Sequence, residues 1–363
     1  MSLNQQSYPS SEPLSHGDWQ RVSDQTRNNS NAPIFIFGSA RSGTSLLSRI
    51  IGSHPRIAIP FESHIYNTFY PWLKFYGDLS LSKNRERLVD DILSTEVMRD
   101  WQPQLDRNQV LANIKSFDLH GIFNALLTTW TSTQNKERWG EKTPAHVLYW
   151  SEIITAFPNA KIIHIVRDGR DAALSWRKAR FGPKHIYLLA KKWVEYLRVI
   201  ETMRSQIDPN AFWEVRYEDL LNDPETATRE ICHFLGEEFT PEMLAFYTNY
   251  TPYPTDSQNQ NNLSQPILQS NREKWRREMT PRELRLFEAV AGKTLTRYGY
   301  SCQLAAAKVS PIEKLWICYV EHPWRKLFAM LKNTKGQIDG LRRLGIYLRL
   351  RLYGQLNKSI SRG

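Results

Sequence analysis

Pro33-Ile34-Phe35-Ile36-Phe37, followed at once by Gly38-Ser39-Ala40-Arg41-Ser42-Gly43-Thr44-Ser45, reads as a strand entering a phosphate-binding loop and then a helix. The usual loop for nucleoside triphosphates has Gly, four residues, then Gly-Lys-Ser/Thr; the Lys reaches the β/γ-phosphates and the hydroxyl ligates Mg²⁺. Thr44 stands in the lysine position here, and a cation appears earlier, at Arg41. The loop can still cradle an anion, because Gly43 permits close backbone approach and the following helix offers unpaired N–H groups and a positive dipole end. It lacks the standard apparatus for a γ-phosphate.

Outward from this stretch, residues 31–300 alternate strand and helix patterns, which predicts an α/β fold with a mostly parallel central sheet and helices on both faces. A helix over Thr44 to Gly52 follows the loop, and a second is expected from Thr143-Pro144, with Thr as cap and Pro in the first turn, to Phe157. Pro158-Asn159-Ala160 turns into the β-branched run Lys161 to Val166, typical of a buried strand, and Asp168 to Lys178 reads as its successor helix. Strand Phe212 to Arg216 precedes a helix from Pro224 to Leu235, announced by Asn222-Asp223-Pro224. The polar stretch 250–270 predicts a long loop of the kind that serves as a lid or binding segment.

Arg167, in Val166-Arg167-Asp168-Gly169-Arg170-Asp171, sits at the carboxyl end of a strand, where open α/β sheets bind ligands. Ser175 lies two turns along the next helix. Such a pair can grip a second phosphate, Arg through a charge-assisted fork and Ser through its hydroxyl. The competing reading is an internal ion-pair network around Arg167 and Asp168, which also suits a strand end.

Composition bounds the function. The chain has 363 residues, 41% apolar and 23% charged, enough for one large α/β domain with an appendage. Its three cysteines lie far apart and form neither a CxxC nor a disulfide framework, which points to a reducing compartment, and no metal site is expected. Residues 1–30 are a polar tail with no apolar signal core, and no segment is long enough to span a bilayer, so a cytoplasmic location is expected. The net charge is +11, and residues 303–363 carry twelve Lys/Arg against three Asp/Glu, or +9 of it. The main domain, 31–302, is therefore nearly neutral, which argues against a nucleic-acid surface. In the extension Leu341, Leu344, Leu348, Leu352 and Leu356 recur at helical spacing, with Leu315-Trp316, Tyr319 and Trp324 before them. A basic helix of this kind either lies on an anionic membrane surface or packs on the domain or a second subunit.

The loop Gly38 to Ser45, the segment Ile163 to Trp176, Glu141-Lys142-Thr143-Pro144 and Arg216-Tyr217-Glu218-Asp219-Leu220 together resemble the sulfotransferases that use 3'-phosphoadenosine 5'-phosphosulfate (PAPS). Arg in the loop is more similar to the tyrosylprotein and bacterial branch than to the cytosolic branch, which has Lys there. The resemblance implies a P-loop-like sulfotransferase fold. By it Arg41, Ser42, Gly43, Thr44 and Ser45 would bind the 5'-phosphosulfate, Arg167 with Ser175 the 3'-phosphate, and Glu62 would be the catalytic base.

The chemistry of that donor suits the residues. PAPS carries anions on both sides of its ribose, so it asks for two anion cradles and no divalent metal. Sulfuryl transfer is an in-line displacement, and Arg41, Lys142 and the loop N–H groups can meet charge on the bridging oxygen. His64 and His54 rival Glu62 as bases, with His54 read as a helix C-terminal cap; His146 is a third candidate facing the cleft. Tyr217 is expected at the adenine or a phosphate, and Arg272 at the 3'-phosphate. Gly169, where relatives have proline, is expected to loosen a helix start. The acceptor, a hydroxyl or amine on a sugar, lipid, phenol or peptide tyrosine, is left open, as is the role of the aromatic stretch 66–76. Two other classes remain at this level: a kinase-like nucleotide enzyme, and a silent nucleotide-binding or membrane scaffold that would dispense with Glu62.

Overall fold

Side chains alternate across β1 (Ile34–Phe37), so that Ile34 and Ile36 enter one core while Phe35 and Phe37 enter the other. A strand apolar on both faces must be covered on both, which sets the sheet inside the molecule. The structure, a computed structural model, describes residues 31–179, 181–248, 260–304, 307–331 and 345–349. Among these, β1, β2 (Ile57–Ala58), β3 (Arg138–Glu141), β4 (Lys161–Val166) and β5 (Phe212–Arg216) form a five-stranded sheet in the order β2-β3-β1-β4-β5, every pairing parallel. The register runs from Ile34 opposite Lys161 to Phe37 opposite His164, and from Ile162 opposite Phe212 to Val166 opposite Arg216. The chain leaves β1 toward β2 and β3 on one side, then crosses to β4 and β5 on the other. That reversal opens a crevice at the carboxyl end of β1, the place where parallel sheets receive ligands.

The covering helices are α1 (Thr44–Gly52), α2 (Leu119–Thr133), α3 (Gly169–Lys178), α4 (Ile186–Arg204), α5 (Pro224–Leu235) and α6 (Pro281–Arg297). Leu47 and Ile50 of α1 and Ile231 of α5 pack on the Ile34/Ile36 face. Phe123, Ala172, Leu189 and Phe287 bring α2, α3, α4 and α6 onto the other. Carboxylates start three of these helices: Asp118 accepts from Gly121 N at 2.7 Å, Asp168 from Arg170 N at 2.9 Å and Asp223 from Thr226 N at 3.1 Å. Thr280 and Glu283 form a reciprocal capping box on α6.

Four expectations are revised. The helix expected from Thr143 to Phe157 is a 3₁₀ turn, Pro144–Tyr149, followed by a short α-helix, Trp150–Ala156, and Thr143 caps neither, because its hydroxyl donates to Glu141 and its oxygen accepts from Ser63 N and His64 N. Gly169 does not loosen α3; a Cβ there would lie 2.5 Å from Trp193 Cδ2, so glycine is what lets α3 approach α4. His54 is not a helix cap: its Nε2 bonds the Glu238 carbonyl at 3.0 Å and its Nδ1 accepts from Arg56 N at 3.2 Å. In the expected loop, 249–259 lie outside the described residues, and Gln260–Leu263 is a short helix that buries Leu263.

Of the leucine stripe, Leu341, Leu344, Leu352 and Leu356 lie outside the described residues. Before them α7 (Pro311–Trp316), a π-helical turn (Ile317–Glu321) and α8 (His322–Leu331) follow one another, anchored by Ile317 against Tyr187 and Leu286. Residues 345–349 return to the domain, where Tyr347 stacks on Trp72 with ring centroids 4.7 Å apart and Arg349 pairs with Asp91. Among the described residues no helix is long and apolar enough to cross a membrane.

Candidate functional site

The loop after β1 is a tight turn with two residues at positive φ, Arg41 at 71° and Gly43 at 96°. Ser42 N donates to Ser39 O at 3.1 Å, and the two serine hydroxyls are 2.5 Å apart. Gly43 is required twice over, by its φ and because a Cβ would fall 2.3 Å from Tyr217 Cδ2. No side chain caps α1, so its first N–H groups stay available to an anion.

Lys142, just past the end of β3, has its side chain almost wholly buried. Its Nζ donates to Ser45 Oγ at 3.1 Å and forms an ion pair with Glu62 Oε1. The other Glu62 oxygen lies 3.1 Å from His64 Nε2. Burial works against the Glu62 charge, but Lys142 and His64 outweigh it and hold the carboxyl well below the usual carboxylate range. His64 adopts φ 53°, a left-handed conformation that a non-glycine residue enters only at some cost in energy.

Beneath this pair lies a carboxylate hub. Glu141 is buried, and it accepts from Ser63 Oγ at 3.1 Å, Thr143 Oγ1 at 2.5 Å and His146 Nδ1 at 3.0 Å. His146 Nε2 in turn accepts from Tyr66 N at 3.3 Å, so the tautomer with its proton on Nδ1 satisfies both nitrogens. Thr143 Oγ1 takes the N–H groups of Ser63, at 3.1 Å, and His64, at 3.4 Å. Burial again opposes the Glu141 charge, and His146, Thr143 and Ser63 bring the carboxyl below its ordinary value. The hub fixes the backbone on which Glu62 and His64 ride, and it removes His146 from the candidate bases.

On the β4 side Arg41 Nε donates to Ser175 Oγ at 3.0 Å. Arg167 donates from Nη1 to the Arg41 carbonyl at 3.3 Å and from Nη2 to the Asn271 carbonyl at 2.8 Å, while its buried Nε has no hydrogen-bond partner. Its guanidinium lies over the Tyr217 ring, 4.4 Å from the centroid, and Tyr217 OH accepts from Asn271 Nδ2 at 2.8 Å. Tyr217 is thus a buried wedge between the loop and Arg167, and burial raises its phenol pKa. Asp171 receives Trp275 N at 2.8 Å, pinning the 271–278 segment to α3, and burial raises its carboxyl pKa against the pull of Arg167. Arg272 is exposed at the start of that segment. The ion-pair network expected around Arg167 and Asp168 is present: Arg170 joins Asp168 at 2.7 Å and Glu288 at 2.8 Å and covers the Trp275 ring, and Arg167 Nη2 lies 3.9 Å from Asp171 Oδ2.

Arg41 links Arg167 and Ser175, Lys142 links Ser45 and Glu62, and the loop 41–45 joins the two sets at the end of β1. The joint role of Glu141, Thr143 and Ser63 is what local reading misses, since Glu141 and Ser63 are 78 positions apart and nothing in either neighbourhood announces the bond. Asn271 escapes in the same way, hidden beside the more conspicuous Arg272. Of the aromatic stretch, Tyr66, Phe69 and Tyr76 are core and Tyr70 and Trp72 are half-buried.

A model described as the sulfotransferase family matches residues 33–241, more than half of the chain. An omega-hydroxy-beta-dihydromenaquinone-9 sulfotransferase of Mycobacterium tuberculosis is 26% identical over 267 residues, 62% of this chain and 69% of that protein. A protein-tyrosine sulfotransferase of Drosophila melanogaster is 27% identical over 220 residues, 58% of this chain and 39% of that protein. The chain spans 31% of the length of an uncharacterized protein of Aquifex aeolicus to which it is 27% identical, a match covering 68% of this chain. The sulfotransferase domain of the Synechococcus PCC 7002 olefin synthase superposes with a TM-score of 0.51 at 23% identity, covering 75% of this chain and 96% of that domain, which supports the same fold.

Proposed function

The chain belongs to the sulfotransferase family, and from that premise we propose that it moves a sulfuryl group from PAPS to a hydroxyl acceptor, leaving 3',5'-ADP. The observation that carries this reading is the position of Lys142 Nζ, bonded to Ser45 of the anion loop at 3.1 Å and to Glu62 at once. One buried cation then serves both the transferring group and the carboxylate that takes the acceptor's proton.

The donor supplies an activated sulfuryl group and a stable bisphosphate leaving group. Residues 41–45 hold its 5'-side anion with backbone N–H groups and hydroxyls. Arg167 and Ser175 hold the 3'-phosphate; the partnerless buried Nε of Arg167 favours this, because a buried guanidinium nitrogen without an acceptor fits an anionic ligand. Arg272, exposed beside Asn271, adds a second charge to the 3'-phosphate in this reading. Glu62 withdraws the acceptor proton as the acceptor oxygen attacks sulfur. Arg41 and Lys142 meet the negative charge that grows on the bridging oxygen as the S–O bond breaks. Tyr217 and Glu141 position these groups without touching the reacting atoms.

The acceptor carries a hydroxyl, as the names of the Mycobacterium and Drosophila relatives indicate for those proteins. Calorimetric titration with 3',5'-ADP and with ATP plus Mg²⁺, followed by transfer from labelled PAPS to hydroxylated quinols, phenols and tyrosyl peptides, tests the reading. Binding of 3',5'-ADP and label in one acceptor class are expected. Preference for ATP with Mg²⁺ would overturn it.

A further inference from the structure

The helix formed by α7, the π turn and α8 presents one long apolar stripe outward. In its first half Ile312, Leu315, Trp316 and Tyr319 are exposed, and in its second half Trp324, Leu327, Phe328 and Leu331, each at 48–80% of full exposure. Within each half the residues follow an i, i+3, i+4, i+7 pattern, and a five-residue step from Tyr319 to Trp324 joins the halves. That step crosses the π turn, whose i→i+5 winding absorbs the extra residue and keeps both halves in register. Trp324 and Phe328, four apart, have ring centroids 6.2 Å from each other.

The charges of the same helix are sorted. Both of its carboxylates are drawn onto the domain: Glu313 bonds Arg285 at 2.7 Å and Arg282 at 3.2 Å, and Glu321 bonds Arg282 at 2.8 Å and His185 at 2.9 Å. The exposed charges that remain on it, Lys314, Arg325 and Lys326, are all basic. An apolar stripe with tryptophan and tyrosine, accompanied only by cations and carried in a segment of net charge +9, is complementary to an anionic lipid surface. The long basic side chains can extend to lipid headgroups while the rings enter the acyl boundary. No described helix is apolar enough to span, so the helix lies along the surface, about 30 Å of it.

We infer that residues 311–331 dock this protein on an anionic membrane. The inference does not depend on the proposed donor or acceptor, because none of these residues belongs to the site at the end of β1. Vesicles of phosphatidylcholine alone and of phosphatidylcholine with phosphatidylglycerol, floated with the full chain, test it. The wild type is expected to float with the anionic vesicles, less so as salt is raised. Arg325→Glu with Lys326→Glu should lower binding roughly fivefold for each charge removed, and Trp324→Glu with Phe328→Glu should abolish it. All these side chains are exposed, so an unchanged thermal midpoint verifies that each variant is folded. Equal flotation of wild type and both variants, or none by the wild type, would overturn the inference. So would a concentration-dependent dimer that the Trp324/Phe328 variant dissociates in the absence of lipid binding, which would assign the stripe to a second copy of the chain.

Discussion

Arg41 Nε donates to Ser175 Oγ at 3.0 Å, so one side chain ties the loop after β1 to the helix after β4. The two proposed anion cradles are a single connected structure, with Arg41 itself at a positive φ of 71°. Truncating Ser175 removes one charge-assisted hydrogen bond, and truncating Arg41 removes one of the two cations proposed to meet the bridging oxygen. Ser175→Ala should weaken 3',5'-ADP binding about tenfold, measured by calorimetry. Arg41→Ala should cost about 10²–10³ in kcat, the usual loss for a preorganised charge-stabilising donor.

Glu62 is held ionised by Lys142 and His64 against its burial. A carboxyl whose pKa is depressed in this way remains a base as pH falls, until pH reaches the lowered value. The wild-type kcat/KM should therefore show no limb from Glu62 between about pH 5 and 7, where an ordinary carboxylate of pKa about 4.3 would begin to titrate at the lower edge. His64→Ala removes one of the two stabilising partners and should move the acid limb upward. Glu62→Gln should lower kcat by about 10²–10⁴ while leaving 3',5'-ADP affinity nearly unchanged.

Glu141 is a stability element with a predictable pH signature. Its folded pKa lies below the ordinary value, so its contribution is complete above about pH 4.3 and is lost as pH falls through the folded pKa. Glu141→Gln can satisfy only part of the donor set of Ser63, Thr143 and His146. Urea unfolding should show a loss of about 1–3 kcal/mol at neutral pH. The difference from wild type should shrink under acid conditions.

Gly43 faces Tyr217, with 2.3 Å between a would-be Cβ and Cδ2. Gly43→Ala should reduce 3',5'-ADP affinity by at least about tenfold, since both the collision and the positive φ act on the anion loop. Adding Tyr217→Ala relieves the collision but not the backbone penalty of about 1–2 kcal/mol, so calorimetry of the double variant should show partial recovery only.

What was legible in the sequence is what short-range patterning controls. β1, β4, β5, α1 and α5 fall where their apolar periods and turn residues put them, and α3 starts one residue after its expected beginning, with Asp168 as its cap. The misreadings share one cause. Thr143 carries a good capping signature, yet its oxygen accepts from the N–H groups of Ser63 and His64, 80 and 79 positions away. Gly169 looks permissive in isolation and is instead dictated by Trp193, which arrives from another helix.

By itself the sequence determined a parallel sheet covered on both faces, a phosphate-type loop with Arg41 and Thr44 in place of the usual lysine, and a second Arg–Ser pair at a strand end. Only the tertiary structure decided that Lys142 bridges Ser45 and Glu62, that Arg41 reaches Ser175, and that Glu141 anchors the loop beneath them. The physical reason is separation: these contacts join residues from 78 to 134 positions apart. Strand order β2-β3-β1-β4-β5, not any local propensity, brings the ends of β1, β3 and β4 side by side.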